Sequence, residues 1–135
     1  MAGYSATPLW KKLGYADGCR AWVSDPPRHY CKLLGLPADV VVTWAAASKP
    51  GMAFVHVFSR EASSLRKQLA TLRRQLAPTG VVWVSWPKKA SGVETDITED
   101  TIRHIALPLG FVDIKVCAVD DTWSGLKLMI RKTER

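Results

Sequence analysis

Three stretches of the chain are apolar at almost every position instead of at every second one, and they occupy residues 39–43, 53–58 and 81–86. Strands with one solvated face alternate apolar and polar side chains, whereas continuous β-branched and aromatic runs are typical of strands covered on both faces. Leucines at spacings of 4, 3 and 4 predict a helix over residues 59–76, between the last two runs. The sequence therefore predicts an α/β three-layer sandwich with a mainly parallel, Rossmann-like sheet.

The other elements complete a single domain that covers residues 1–135. Residues 4–14 predict a short helix within an amino-terminal helical arm over residues 1–18, with Thr7 as its possible cap and Pro8 at its first position. The further predicted elements are a strand over residues 21–24, helices over 28–34 and 96–107, and an antiparallel carboxyl-terminal hairpin over 111–119 and 125–131. The sheet then has about six strands. The link over residues 44–52 is short for a parallel crossover, so either this connection is abbreviated or the strand before it pairs elsewhere.

Capping residues predict where the two longer helices begin and end. Ser59 precedes the long helix and can cap it, and Asp96 and Glu99 have capping-box spacing at the start of the last helix. Pro108 is expected to break that last helix.

Net charge is +7 and is unevenly distributed. Residues 1–93 contain 13 of the 19 Lys and Arg residues and 4 of the 12 Asp and Glu residues, a net charge of +9, whereas residues 94–135 carry −2. A basic body favours an anionic ligand, a nucleotide or a polyanion. The long helix carries a predicted basic face that either contacts a phosphate backbone or is only solvated, formed by Arg66, Lys67, Arg73 and Arg74.

The strand over residues 81–86 runs directly into Pro87, two lysines and a turn of small residues. Ligands of open parallel sheets bind beyond the carboxyl ends of the strands, so the residues that follow each strand form the candidate site. Lysines there either bind an anion or belong to a solvated turn, and aspartates there either bind a ribose or an amine or only shape turns. The candidate ligand-binding residues are Asp25, Ser59, Trp86, Lys88, Lys89, Ser91, Asp120 and Trp123.

Several other features exclude classes of site or location. The cysteines Cys19, Cys31 and Cys117 include no Cys-x-x-Cys pair, which predicts reduced thiols and a cytoplasmic protein. No run approaches about 18 apolar residues, so no membrane span is predicted. Asp120 and Asp121 have no third ligand at a recognisable spacing, so no metal site is predicted. No catalytic residue can be assigned, and the chain is expected to be a monomer or a dimer through a sheet edge.

Five short segments carry a resemblance to known proteins: GYSATPL at residues 3–9, KLG at 12–14, WVSWPKK at 83–89, KVCAVD at 115–120 and WSGL at 123–126. They resemble a bacterial domain-of-unknown-function family (DUF3052-like). The order of elements and the closing hairpin also resemble a truncated class I S-adenosylmethionine-dependent methyltransferase fold. That resemblance implies a last strand inserted antiparallel between the two strands before it.

The chain departs from the methyltransferase pattern where the cofactor would bind. In that family a Gly-x-Gly loop follows the first strand, whereas this chain reads VSDPP over residues 23–27, and prolines remove backbone donors. The family's second strand ends in an acidic residue that holds the ribose, whereas this chain reads VTWA over residues 42–45. The chain also lacks roughly one β-α unit of the doubly wound pattern. The missing glycine-rich loop disfavours S-adenosylmethionine as a cofactor.

Three functional hypotheses result. The leading one is a degenerate, non-catalytic methyltransferase-like domain that binds a small anionic ligand or a protein partner at the carboxyl edge of its sheet. In that hypothesis Asp25, Trp86, Lys88 and Lys89 contact the ligand and Trp123 forms a lid. The first alternative is an active S-adenosylmethionine-dependent methyltransferase with an atypical cofactor loop. The second alternative is a polyanion- or nucleic-acid-binding module that works through residues 60–76.

Overall fold

The computed structural model describes residues 7–135, so the first part of the predicted arm and of the residue 3–9 motif lies outside the described residues. The helices are α1 (Leu9–Leu13), α2 (Tyr30–Leu34), α3 (Ala62–Gln75) and α4 (Glu99–Leu109). The strands are β1 (Arg20–Ser24), β2 (Thr43–Trp44), β3 (Met52–Phe58), β4 (Leu76–Pro87), β5 (Phe111–Ala118) and β6 (Trp123–Ile130). Short 3-10 turns occupy Lys89–Ser91 and Lys132–Glu134. No helix in the described range is both long enough and apolar enough to span a bilayer.

The six strands form one sheet in the order β2-β1-β3-β4-β6-β5. The pairings among β2, β1, β3 and β4 are parallel, whereas β6 runs antiparallel to both β4 and β5. The α/β class and the antiparallel carboxyl-terminal hairpin are therefore confirmed, and the sheet is mixed, with three parallel and two antiparallel pairings. The reason is that β6 inserts between β4 and β5 and replaces what would have been a parallel contact with two antiparallel ones.

Both faces of the sheet are covered, as the uninterrupted apolar runs predict. On one face, Leu65, Leu69 and Leu72 of α3 and the isoleucines of α4 pack on the buried valines of β3 and β4. On the other face, α1 and α2 pack on Phe54, Phe58 and Trp83. These two cores hold β3 and β4 at the centre of the molecule, so the loops that follow them start from fixed positions.

The region around β2 differs from its prediction. The strand predicted over residues 39–43 is reduced to two residues, because Val40 donates to Pro37 in a turn and the Val41 N–H is bound by the Asp17 carboxylate at 2.8 Å. β2 lies on the far side of β1 from β3, and residues 45–51 connect β2 to β3 without a helix. The short crossover is thus an abbreviated connection.

The helix caps also differ from their predictions. Asp96 does not open α4; its carboxylate accepts the Ala62 N–H at 2.7 Å and thereby caps α3 from a distant segment. Thr98 and Thr101 form the capping box of α4 instead. Ser59 is not the cap of α3, since its hydroxyl donates to the Glu61 carbonyl. Pro108 lies inside the last turn of α4, which Gly110 ends in the left-handed conformation.

Candidate ligand-binding trough at the carboxyl edge of the sheet

The strand order reverses at β1, because β2 lies on one side of it and β3 on the other. Ligands of open α/β sheets bind beyond the strand carboxyl ends at such a point. The loops that leave β1 and β3 there enclose a cleft of about 500 Å³. Its walls are the turn after β1, the start of α3 and one side chain of the β5–β6 hairpin, namely Asp25, Pro26, Pro27, Phe58, Ser59, Arg60, Glu61, Ser64 and Trp123.

Asp25 occupies a strained position at the mouth of this switch-point cleft. Its φ is +51°, and in the described range it is the one residue other than glycine with a positive φ. Aspartate tolerates this left-handed region better than most residues, but the conformation still has an energetic cost. No residue among 7–135 forms a hydrogen bond or ion pair with its carboxylate. The alternative in which the Asp25 side chain shapes the turn by bonding to nearby backbone is therefore not supported by any such bond. The carboxylate is therefore exposed and available at the edge of the cleft.

Trp123 forms the opposite wall of the switch-point cleft, and the hairpin holds it in place. Its ring lies edge-on to Phe58, with centroids 5.1 Å apart. The Asp120 carboxylate accepts the N–H groups of Thr122 and Trp123 at 2.9 and 2.7 Å, and His29 lies 3.6 Å from its other oxygen. Asp120 thus shapes the turn that positions Trp123 and lines none of the cavities found along this edge.

A second cavity of about 590 Å³ lies beyond β4 and is lined by Trp86, Lys89, Val93 and Ile97, among others. Lys88 and Ser91 support its rim: the Lys88 N–H donates to the Thr122 carbonyl at 2.7 Å, and the Ser91 hydroxyl donates to the Lys88 carbonyl at 2.6 Å. The predicted site is therefore divided, with Asp25, Ser59 and Trp123 in one cavity and Trp86 and Lys89 in another.

A smaller cavity of about 420 Å³ lies between the two. It shares Arg60 and Glu61 with the switch-point cleft and Glu94 and Thr95 with the cavity beside Trp86. The three cavities together form one trough along the carboxyl edge. Arg60 and Glu61 each line two of the three cavities. Arg60 follows Ser59 at the edge where strand residues were predicted to meet, whereas Glu61, one position further on, was not predicted.

A buried polar chain lies behind the switch-point cleft and was missed by the sequence analysis. The hydroxyls of Tyr15 and Tyr30 are 2.7 Å apart, Tyr30 bonds to Nδ1 of His56 at 2.8 Å, and Nε2 of His56 bonds to Ser85 at 2.7 Å. All four side chains are buried. His56 and Ser85 interrupt otherwise apolar strands, and that pattern could have predicted a buried polar pair.

Burial determines the charge state of this Tyr15–Tyr30–His56–Ser85 relay. It lowers the pKa of His56 to about 3 and raises the pKa of both tyrosines, so every member is neutral near pH 7. A neutral imidazole has one donor and one acceptor nitrogen, so His56 donates to one of its two hydroxyl partners and accepts from the other. The His56 ring stacks on Phe58 at 4.3 Å, and the relay therefore supports the inner wall of the switch-point cleft.

Among the four residues of the predicted basic face of α3, Arg73 has partners within the chain. It donates to the Leu109 carbonyl at 3.0 Å and pairs with Glu134 of the carboxyl-terminal turn at 3.3 Å. Arg66, Lys67 and Arg74 are exposed. Within residues 7–135, no group of three His, Cys, Asp or Glu side chains is arranged to hold a metal ion, and the three cysteines are free thiols.

Solved structures that resemble this chain include S-adenosylmethionine-dependent methyltransferases. The TehB-like methyltransferase of Corynebacterium glutamicum matches with 9% identity and a TM-score of 0.57, over 96% of this chain and 90% of that one. The PH0226 protein of Pyrococcus horikoshii matches with 11% identity and a TM-score of 0.59, over 92% and 87%. LepI, solved in complex with S-adenosylmethionine, matches with 10% identity and a TM-score of 0.54, over 93% and 47%.

At these identities the likeness shows the fold, and the methyltransferase-like fold of this chain is confirmed. No family model matches the sequence, and neither does any curated protein. The resemblance to the DUF3052-like family therefore stays a prediction.

Proposed function

We propose that this chain binds S-adenosylmethionine in the switch-point cleft and is a methyltransferase with an atypical cofactor loop. The observation that carries this proposal is the strained, exposed Asp25 at the end of β1, opposite the loop of Ser59 and Arg60 that leaves β3. Strain of this kind concentrates at functional sites, where the surrounding structure maintains it for a purpose. The methyltransferase-like fold of the chain supports the same proposal.

The chemistry of the cleft lining suits the parts of this cofactor. The Arg60 guanidinium can bind the carboxylate of the methionine portion, and the carboxylates of Asp25 and Glu61 can accept from its ammonium or from ribose hydroxyls. The Trp123 ring offers a flat face for the adenine or for the cationic sulfonium. S-adenosylmethionine, when bound, supplies an electrophilic methyl group on its sulfonium.

The departures at the cofactor loop determine how this chain would hold the ligand. Pro26 and Pro27 remove two backbone donors from the turn after β1, and β2 ends at Trp44 with no acidic residue. The contacts would therefore come from side chains, above all from Asp25, and would be fewer than in a glycine-rich loop. Weak, micromolar binding follows from this arrangement.

Isothermal titration calorimetry with S-adenosylmethionine and S-adenosylhomocysteine tests the proposal. We expect saturable binding with a Kd below about 100 μM, equivalent to roughly −5.5 kcal/mol. Asp25→Asn should weaken it at least about tenfold, because the neutral amide loses a charge-assisted hydrogen bond. The matched control is Asp39→Asn, an exposed carboxylate outside the trough, which should bind like the unmodified chain. Absence of binding to both ligands would overturn the proposal.

A second candidate is a non-catalytic domain that binds a small anionic ligand in the cavity beside Trp86. The supporting observation is that apolar walls from Trp86, Pro87, Val93 and Ile97 adjoin the Lys89 ammonium. An aromatic carboxylate suits such a lining. This candidate predicts that 1-anilinonaphthalene-8-sulfonate binds and that Lys89→Gln weakens it, whereas Asp25→Asn does not. A response to Asp25→Asn alone would contradict this candidate.

A further inference from the structure

Two lysines face each other on the sheet surface that carries Trp83. Lys115 of β5 lies directly opposite Lys127 of β6, and Lys127 in turn lies opposite Trp83 of β4. Like charges at directly opposed positions of antiparallel strands destabilise the pair. The strand register shifts between Asp113 and Lys115, and irregularities of this kind redirect side chains and recur near functional sites.

A third lysine acts on the same place. Burial raises the pKa of the Cys117 thiol, and the charges of Lys115 and of Lys12 of α1 offset part of that rise, so both lysines lie within electrostatic range of Cys117. The pKa of Lys127 is lowered, first by burial and then by the charge of Lys115. Lys115 and the half-buried Lys127 therefore repel each other across the two strands, and partial burial of Lys127 strengthens that repulsion relative to open solvent.

No acidic side chain compensates this lysine cluster, which consists of Lys12, Lys115 and Lys127. All 12 Asp and Glu residues lie within the described residues 7–135, and none forms an ion pair with any of the three. The nearest one along β5, Asp113, pairs with Arg103 of α4, which packs on the other face of the sheet. The Lys115 ammonium lies 6.0 Å from the centre of the Trp83 ring, a contact that offsets only part of the repulsion.

We propose that the lysine cluster binds a phosphate group, carried either by a small phosphorylated molecule or by a nucleic-acid backbone. A phosphate bears up to two negative charges and several acceptor oxygens, so it can neutralise the opposed pair and accept from both of their ammonium groups. The site is separate from the trough at the carboxyl edge and from the exposed basic residues of α3. It gives the chain a polyanion-binding surface on the opposite face of the sheet from α3.

Thermal unfolding with and without inorganic pyrophosphate is the first test. Lys127→Gln should raise the Tm in phosphate-free buffer because it removes the repulsion, and pyrophosphate should then raise the Tm of the unmodified chain but not of this variant. Lys115→Gln provides a second variant with the same expected behaviour. The matched control is Lys67→Gln on the exposed face of α3, whose Tm should respond to pyrophosphate like that of the unmodified chain.

Fluorescence anisotropy with a labelled single-stranded RNA distinguishes the two sources of phosphate. If the backbone is the ligand, Lys115→Gln/Lys127→Gln should weaken RNA binding at least about tenfold and reduce its salt dependence by about two charges, while Arg66→Gln/Lys67→Gln changes it little. If RNA does not bind but the pyrophosphate effect is present, the ligand is a small phosphorylated molecule. The proposal is overturned if neither ligand binds, or if both double variants lose affinity equally.

Discussion

Nε2 of His56 lies 2.7 Å from the hydroxyl of Ser85 inside the centre of the sheet, and neither side chain is exposed to solvent. His56 belongs to β3 and Ser85 to β4, so this bond joins the two central strands through their side chains. On the other side of the imidazole, Tyr30 connects the pair to α2, which follows the strained turn at Asp25. The relay therefore links the core of the sheet to the loop at the switch-point cleft.

Ser85→Ala should lower the free energy of unfolding by about 1–3 kcal/mol, because it leaves one ring nitrogen of His56 buried without a partner. Urea denaturation monitored by tryptophan fluorescence measures this change. Ser63→Ala, on the exposed face of α3, is the matched control and should change stability by less than about 0.5 kcal/mol. An equally small effect of Ser85→Ala would mean that the ring finds another partner.

The relay also predicts a pH dependence of stability. The folded-state pKa of His56 is lowered by burial from 6.5 to about 3, so between these values the unfolded chain binds a proton that the folded chain does not. Stability is therefore fully present above about pH 6.5 and falls as the pH is lowered towards 3, by up to about 1.4 kcal/mol per pH unit. Tyr15 and Tyr30 stay neutral over this range, because burial raises the pKa of each.

Urea denaturation at pH 7, 6, 5 and 4.5 measures that slope. Between pH 7 and 4.5, His56→Gln should reduce the change of the free energy of unfolding with pH, although the variant is less stable than the unmodified chain at pH 7. His104→Gln, an exposed histidine of α4, is the matched control and should retain the slope. Below about pH 4 the Asp113 carboxylate contributes a second loss, because Arg103 holds its pKa below the usual value. An unchanged slope in His56→Gln would contradict this account.

Sequence patterns predicted the layers of the fold because a strand that is buried on both faces is apolar at consecutive positions, which is a local feature of the sequence. The continuous apolar runs of β3 and β4 and the leucine spacing of α3 are visible in the order of residues along the sequence. The sequence indicates only that His56 and Ser85 are polar residues within apolar strands; the connections of the relay are not visible in it, since its partners lie 15, 26 and 29 residues apart and meet only in the folded sheet. Long-range hydrogen bonds of this kind require the register of the strands, which composition alone does not specify.

The predicted site residues lie at the carboxyl edge of the sheet, as the topology implied, but in two cavities and not in one group. Asp25 and Ser59 meet because β1 and β3 are adjacent and parallel, which follows from the topology. Lys88 was expected to join them, but its N–H is bound to the hairpin at Thr122. This bond draws the segment after β4 towards β6, so Trp86 and Lys89 line a separate cavity.

Asp96→Ala should destabilise the chain by about 1 kcal/mol, because Asp96 caps α3 through the Ala62 N–H. Asp96→Asn keeps an acceptor oxygen at the same place and should restore most of that loss. Guanidinium denaturation of both variants measures the difference. Equal losses in the two variants would assign the effect to the charge of Asp96 near the helix dipole and not to its hydrogen bond.

Asp25 provides the last prediction, which separates the backbone of the cofactor turn from its carboxylate. A φ of +51° disfavours residues with a Cβ atom by about 1–2 kcal/mol, and less for aspartate and asparagine, which adopt the left-handed region more readily than other such residues. Asp25→Asn should therefore change the free energy of unfolding by less than about 0.5 kcal/mol, whereas Asp25→Ala should lower it by about 1 kcal/mol.

Urea denaturation and S-adenosylmethionine titration of the same two variants complete the comparison. If Asn retains stability but loses affinity, the carboxylate of Asp25 binds the ligand directly, because the turn itself is intact. If Asn retains both and only Ala loses affinity, the conformation of the turn is what the ligand requires. An Asp25→Ala variant as stable as the unmodified chain would contradict the left-handed conformation of this residue, and with it the strain on which the assignment of the cleft rests.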